Sequence, residues 1–323
     1  MIHEFVVLVV GEINPDVVVA GSNSPVRFGQ AEVLVDDVSL HVGSSSVITA
    51  AGLVRLGLRV AFVGVVGPDT FGSFMLASMQ SLGIDTIGCR VEPSARTGAG
   101  VVLTRPGGDR AILTHTGSMA TLTADAVPSD LLRRARHLHV GSYYLQPALQ
   151  PGLADLFQFA HAVHVSTSLD CNFDPSERWS GSIETLLPLI DLFMPNAAEA
   201  SGLTGQSDPP QALARLVALS EPGRLATRPD PILAVKLGSD GAIARRGLES
   251  VRVAALDVQP VDTIGAGDAF DAGLIRGFVD DLPLAQMVAL AVTCGTMSTR
   301  SAGGTGGQPN LSEALATMAS GAI

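Results

Sequence analysis

The segment VDTIGAGDAFDAGL, residues 261–274, sets three small residues, Gly265, Ala266 and Gly267, directly before a carboxylate, Asp268. Ala266, Ala269, Phe270, Gly273, Leu274, Gly277 and Phe278 then recur at the i, i+3, i+4, i+7 spacing of a helix. GAGD therefore reads as a first helical turn. Such a turn leaves about four backbone amides without partners and carries partial positive charge. Glycine and alanine leave those amides uncovered, so an anion approaches closely. A carboxylate in the same turn is placed to take a proton from a hydroxyl. Amides that gather negative charge beside one proton acceptor suit phosphoryl transfer. The same residues also make an ordinary tight helix entry, with an acidic residue favoured by the dipole. Alone, they leave both readings open.

A site of this kind needs a frame. Apolar runs at 5–10, 60–66, 137–141, 163–170, 192–196 and 231–238 are short and rich in Val, Ile and Leu, as buried parallel strands are. Between them, 49–57 places Ala50, Leu53, Val54 and Gly57 on one face. Segment 71–83 spaces Phe71, Phe74, Met75, Met79 and Leu82 helically and stops at Gly83. Segment 209–220 opens on prolines that suit a first turn. Strands alternating with helices predict an α/β fold with a mostly parallel, helix-covered sheet. Two segments, about 12–42 and 90–117, break this rhythm with alternating, partly polar patterns. The second reads as a hairpin with strands near 98–104 and 110–115, joined by residues 105–109. Both predict a small β lid projecting from one domain spanning 1–323.

Composition narrows the function. The chain has 20 Lys+Arg against 31 Asp+Glu, a net charge of -11. That argues against nucleic acid as the main partner, because phosphate backbones need a basic footprint. Three cysteines, at 89, 171 and 294, form no CxxC pair, so neither a disulfide framework nor a zinc site is suggested, and a reducing cytoplasm fits. No apolar run reaches membrane length. His137 and His139 fall on one sheet face and read as structural. SAGGTGGQP, residues 301–309, lacks the Lys-Ser/Thr of a P-loop and reads as a loop. An oxidoreductase would need an early G-x-G-x-x-G after the first strand, and GEINPD does not supply it.

The GAGD segment resembles the second signature of the ribokinase-like, PfkB-type carbohydrate kinases, D-T-x-G-A-G-D-x-F. Asp262, Thr263, Gly265, Ala266, Gly267, Asp268 and Phe270 all match. Other blocks follow in the family's order: GEINPDVVV (11–19), HVGSSSVITAAGLVRLG (41–57), VGVVGPDTFG (63–72), MPNAAEASGLTG (194–205) and VKLGSDGA (235–242). The resemblance covers roughly residues 5–310. It implies a ribokinase-like three-layer sandwich with a small β lid. The implied reaction moves the γ-phosphoryl group of ATP, with Mg²⁺, to a hydroxyl of a sugar or sugar-like polyol. A nucleoside kinase of the same fold is the alternative. A non-catalytic sensor is disfavoured, because it would not need the base in GAGD.

By that resemblance Asp268 is the catalytic base, and the amides of Gly265, Ala266 and Gly267 form the anion hole. Asn14 and Asp16 would hold sugar hydroxyls, although Asn-Pro-Asp is also a good turn. Gly43 and Ser44 would lie against the substrate. Val42 and Val47 depart from the family, which commonly has a second glycine and a sugar-contacting asparagine there. Ser44, Ser45 and Ser46 either compensate or cap the following helix. Asn196 and Glu199 form the N-x-x-E element that organises magnesium and phosphates, and equally a capping box. Lys236, Gly238 and Gly241 would border the nucleotide phosphates. Asp262 and Thr263 correspond to positions near a monovalent cation such as K⁺. Arg110 would reach over the substrate from the lid, or be a solvated loop charge. Asp170, Asn172 and Asp174 sit at a strand end that faces the ligand crevice in such sheets; of two readings, metal binding and a polar turn before Pro175, the turn is favoured. Lid strands supply dimer contacts in some members, which makes a homodimer an expectation too.

Overall fold

The computed structural model describes residues 5–21, 28–104, 110–179 and 183–320. Its strands are β1 (Val7–Val10), β2 (Pro15–Ala20), β3 (Asp37–Val42), β4 (Val60–Val66), β5 (Asp85–Val91), β6 (Ala99–Thr104), β7 (Arg110–His115), β8 (His137–Val140), β9 (Ser166–Leu169), β10 (Leu192–Phe193), β11 (Ile232–Lys236), β12 (Ala242–Arg246) and β13 (Glu249–Val253). The helices are α1 (Ser45–Arg55), α2 (Thr70–Ser81), α3 (Ser129–Arg133), α4 (Leu153–Ala162), α5 (Ile183–Leu186), α6 (Ala197–Thr204), α7 (Pro209–Ser220), α8 (Ala266–Val279), α9 (Leu284–Ser298) and α10 (Leu311–Ala319).

Nine strands form the main sheet in the order β13-β12-β11-β10-β9-β8-β1-β4-β5. From β11 to β5 the pairs are parallel; β12 and β13 turn back antiparallel at one edge. Strand alternation divides the core in two. Leu8, Val10, Val63, Leu138 and Leu233 face one side, where they meet α3 to α7. Val7, Val9, Phe62, Ile232 and Ala234 face the other, under α1, α2 and α8 to α10. These strands are apolar on both faces because each face is covered. His137 and His139 share a face, as their spacing predicts. Both are fully buried beside Ser166 and Ser168, at 2.7–2.9 Å. Burial first holds them neutral, down to about 3 and about 4 respectively.

The lid is a separate sheet, β3-β2-β6-β7. Register pairs Asp16 with His41 and Gly100, and Gly100 with Thr114. Alternation from those pairs puts Asp16, Gly100, Val102, Arg110, Ile112 and Thr114 on the face that lines the cleft. The opposite face carries Val17, Val19, Val38, Leu40, Val101, Leu103, Ala111 and Leu113. It is a continuous apolar surface, on which Val38 and Leu113 are 59% and 62% exposed.

The expected elements differ from the observed ones in places with clear causes. Helix α1 begins at Ser45 rather than 49, because Ser44 caps it through the amide of Val47 at 3.0 Å. Strand β10 keeps only two residues before Pro195, which has no N–H for a ladder. Residues 90 and 91 belong to β5 of the main sheet, so the second lid segment starts at Ala99 rather than 90. The connection at 105–109 lies outside the described residues. No helix among the described residues is long and apolar enough to cross a membrane.

Candidate active site

The first turn of α8 opens onto a cleft of about 1270 Å³ between the main sheet and the lid. Gly265 precedes the helix with φ 74°, and a Cβ there would stand 2.7 Å from Cα of Gly304. Only glycine fits that conformation and that approach. No side chain caps the helix. Gly265, Ala266, Gly267 and Asp268 all line the cleft, so the N-terminal amides and the carboxylate meet in one place, as the sequence predicts. The half-buried Asp268 takes a hydrogen bond from Ser45 and is pushed up to about 8, by desolvation first and then by the charge of Asp170.

Asp170, at the end of β9, and Lys236, at the end of β11, form the floor beside it. Lys236 Nζ donates to Asp170 Oδ2 at 2.9 Å and to both oxygens of Asp271 at 3.1 Å. Burial alone would raise Asp170; the Lys236 ammonium more than offsets this and holds its carboxyl well below the usual range. Burial raises Asp271 well above that range. Lys236 lines the cleft, as expected, but three carboxylate oxygens surround its charge. Nearby, Asn196 caps α6 in a complete capping box: its Oδ1 accepts the Glu199 amide at 2.9 Å, and Glu199 Oε2 accepts the Asn196 amide at 2.8 Å. The Cys171 thiol leans on Glu199 at 3.7 Å. Burial and then Asp170 push Glu199 up to about 7. The two readings of N-x-x-E therefore coexist: the box shapes a buried carboxylate that also faces the cleft.

At the lid end, Asn14 and Asp16 line the cleft together, with Asn14 Nδ2 3.3 Å from Asp16 Oδ1. Asp16 passes between two glycines: a Cβ on Gly43 would lie 2.6 Å from its carboxyl, and one on Gly100 2.3 Å. Burial and then Glu12 push Asp16 up to about 6, against His41 and Arg110. Arg110 projects from β7 into the same space. Ser44 donates to the Glu12 carbonyl at 2.6 Å while capping α1. Val47 is a correction. It is fully buried in the core among Val7, Val9 and Phe62 and does not line the cleft. An apolar residue one step into α1 turns inward, and Ser45 and Ile48 face the cleft instead. Asn172 supplies an amide there, donating to Ser45 Oγ at 3.2 Å and Ser142 Oγ at 3.0 Å.

Gly238, Gly241 and Thr263 line the far end of the cleft. Asp262 does not line it. Its two oxygens accept the amides of Ile264 and Gly303, each at 2.9 Å, which ties the GAGD turn to the glycine-rich loop at 301–307. Asp174 is a turn residue, as expected, accepting from Ser176 and from the Trp179 amide at 2.7 Å.

Sequence reasoning missed Asp271, Glu12 and Phe173, and undervalued Asp170. Asp271 lies three positions after Asp268, one helical turn on, so its signal was present. Glu12 and Phe173 carry no spacing that marks them. The hard oxygens of Asp170 and Glu199, whose ligand atoms group within 4.8 Å with Cys171 Sγ, fit Mg²⁺, which binds through one or two carboxylates and keeps several waters.

The uncapped start of α8, the raised Asp268 carboxyl beside it and the polar lid residues around Asp16 are the parts that a phosphotransferase with an alcohol acceptor needs. Residues 6–311 match the pfkB family of carbohydrate kinases, and the chain belongs to that family. It is 30% identical over 233 residues to an uncharacterized sugar kinase of Archaeoglobus fulgidus, covering 71% of this chain and 86% of the relative. It is 30% identical over 277 residues to a 2-dehydro-3-deoxygluconokinase of Bacillus subtilis, covering 80% and 81%. The fold matches an Arabidopsis thaliana ribokinase complexed with ribose and ATP, at TM-score 0.80 and 21% identity over 97% of this chain and 98% of that one.

Gly43→Ala sets a methyl group against the Asp16 carboxyl and the Asn14 carbonyl, and the acceptor KM should rise at least about tenfold, the equivalent of ~1.4 kcal/mol, while the ATP KM stays unchanged. Steady-state kinetics with each substrate varied in turn reads this; an unchanged acceptor KM removes Asp16 from the acceptor site. A base near 8 works only when deprotonated, so kcat/KM should climb with pH and level off above about 8. Because the folded carboxyl is raised above its unfolded value, the native state binds more protons between those two values, and stability falls as pH rises through that window. Asp268→Asn should therefore show a higher Tm than wild type at pH 9 and little difference at pH 4, by calorimetry.

Proposed function

We propose that the chain phosphorylates a hydroxyl of a sugar or sugar-like polyol with ATP, Asp268 acting as general base. The observation that carries this is the junction of uncapped α8 amides with the raised Asp268 carboxyl in one cleft. Asp268 takes the acceptor proton as the oxygen–phosphorus bond forms and the bond to the bridging β-phosphate oxygen breaks. The amides of residues 265–268 receive the charge on the transferred group. Asn14, Asp16 and Arg110 orient the hydroxyls. Asn196, Gly238, Gly241 and Thr263 border the triphosphate with Lys236. Glu199 and Asp170 would hold Mg²⁺, which when bound neutralises phosphate charge. A monovalent cation such as K⁺ would sit beside Asp262, where it props the GAGD turn against the glycine-rich loop. Closure of the lid would exclude water from the reacting group.

A nucleoside acceptor is the second reading. Val102, Ile112, Met119, Leu145 and Phe173 give the cleft an apolar wall beside Asp16, and Phe173 is 48% exposed there. Its ring is braced edge-on by Trp179 at 5.5 Å. A sugar panel and a nucleoside panel, each assayed with ATP and Mg²⁺, separate the readings by which set is turned over. In either case Asp268→Asn should lower kcat about 10²–10⁴-fold, the usual worth of a general base, and should still bind ATP. Comparable turnover by both proteins would remove Asp268 from the role.

The apolar outer face of the lid supports a homodimer. Four strands of about six residues make a face of roughly 400 Å² in projection, as large as the largest apolar patch of a typical monomer. A second copy presents the same face, as a two-fold interface requires. Leu113→Glu should convert the dimer to monomer in light scattering; wild type that is already monomeric at micromolar concentration refutes the interface. Three unpaired cysteines fit a reducing, cytoplasmic setting.

A further inference from the structure

Of the 20 residues that are Lys or Arg, one is lysine, and it is Lys236. The chain uses arginine at every other basic position, yet at the cleft floor it places the compact ammonium. An ammonium directs three rotatable donors at separate oxygens, here three of them around Nζ at 2.9–3.1 Å. The surroundings are built for that one group. Asp271 is fully buried in α8. Asp170 is 5% exposed, at the end of β9. The ammonium thus joins the ends of two strands to the first turns of the helix that carries GAGD. A Cβ built on Gly267 would stand 3.6 Å from Nζ, so the glycine leaves the ammonium open to whatever the α8 amides hold.

We propose that Asp271 is a positioning residue for phosphoryl transfer, acting through Lys236. It fixes the ammonium beneath the GAGD turn so that the transferred group meets backbone amides and a cation at once. This rests on the reading of Lys236 as a phosphate contact. Both Asp271 oxygens lie at 3.1 Å from Nζ. One of those two contacts can pass to a phosphoryl oxygen while the other, with Asp170, keeps the ammonium in place. A flexible four-carbon stem held by Asp170 alone would lose that placement. Cys171 turns its thiol to Glu199, at 3.7 Å, rather than to Nζ.

The test is chemical rescue combined with a mutant cycle in the full-length enzyme, with ATP, Mg²⁺ and the best acceptor from the panel. Lys236→Ala should lose at least 100-fold in kcat, and added ethylammonium should restore at least tenfold of it. Asp271→Asn, which keeps the side chain's shape, should lose 10- to 100-fold in kcat with the acceptor KM within threefold of wild type. Joined to Lys236→Ala, it should add nothing further and abolish the ethylammonium rescue. Wild-type kcat in Lys236→Ala overturns the reading of Lys236 itself. An impaired Lys236→Ala beside a normal Asp271→Asn overturns only the positioning role. So does a double variant whose losses multiply, or one that ethylammonium still rescues, since a merely structural Asp271 would act independently of Lys236. Should Asp271→Asn fail to fold, Asp271→Ser replaces it in the same cycle, under the same criteria.

Discussion

The cleft must admit a triphosphate over a floor that already holds Asp170, Glu199 and Asp268, with a single ammonium among them. Everything else in the site answers that electrostatic conflict. The uncapped amides of α8 supply positive potential that adds no side-chain volume. Lys236 compensates Asp170 directly and rests against both oxygens of Asp271. Without further cations the other carboxyls resolve the conflict by holding protons: Asp271 is raised well above the usual range, Asp268 to about 8 and Glu199 to about 7. In the proposed reading, a divalent cation held there with the nucleotide would reverse that pressure, because positive charge favours the ionised forms, and the ionisation of Asp268 would follow its presence.

The fold serves this conflict by converging helix and strand ends on one edge of the sheet. Lys236 ends β11, Asp170 follows β9, Glu12 follows β1, and α8 and α1 start there. Ligands sit at the carboxyl ends of strands in open α/β sheets for the same reason: loops and helix starts present their amides there. The lid adds a cleft face on which Asp16, Arg110 and Thr114 stand among the apolar Val102 and Ile112. Its back is apolar too, so the lid is amphipathic only in the sense that its cleft face carries Asp16 and Arg110.

Much of this was legible in residue order. GAGD read as a helix start because the apolar spacing from Ala266 to Phe278 is helical, and α8 begins at Ala266. The buried strands were readable from runs of Val and Leu, and α7 from its opening prolines. What failed to show was whatever depends on direction at a strand end or helix start. Val47 was expected at the substrate because it stands where the family commonly has a sugar-contacting asparagine. A turn of α1 carries it into the core instead. Lys236 was legible as a cleft residue, but its two carboxylate partners come from positions 66 residues before and 35 after it, which no local pattern links. Asp262, which the resemblance sets near a monovalent cation, also accepts two loop amides in the fold, and no local pattern names those partners.

The central claim is that bare amides at the start of α8 and the neighbouring carboxyl do the chemistry together. A crystal structure with a non-hydrolysable ATP analogue, Mg²⁺ and acceptor tests it most directly. The account predicts the terminal phosphate within hydrogen-bonding reach of the amides of residues 265–268 and an acceptor hydroxyl on Asp268. A terminal phosphate held elsewhere in the cleft, with Asp268 facing neither ligand, would contradict it.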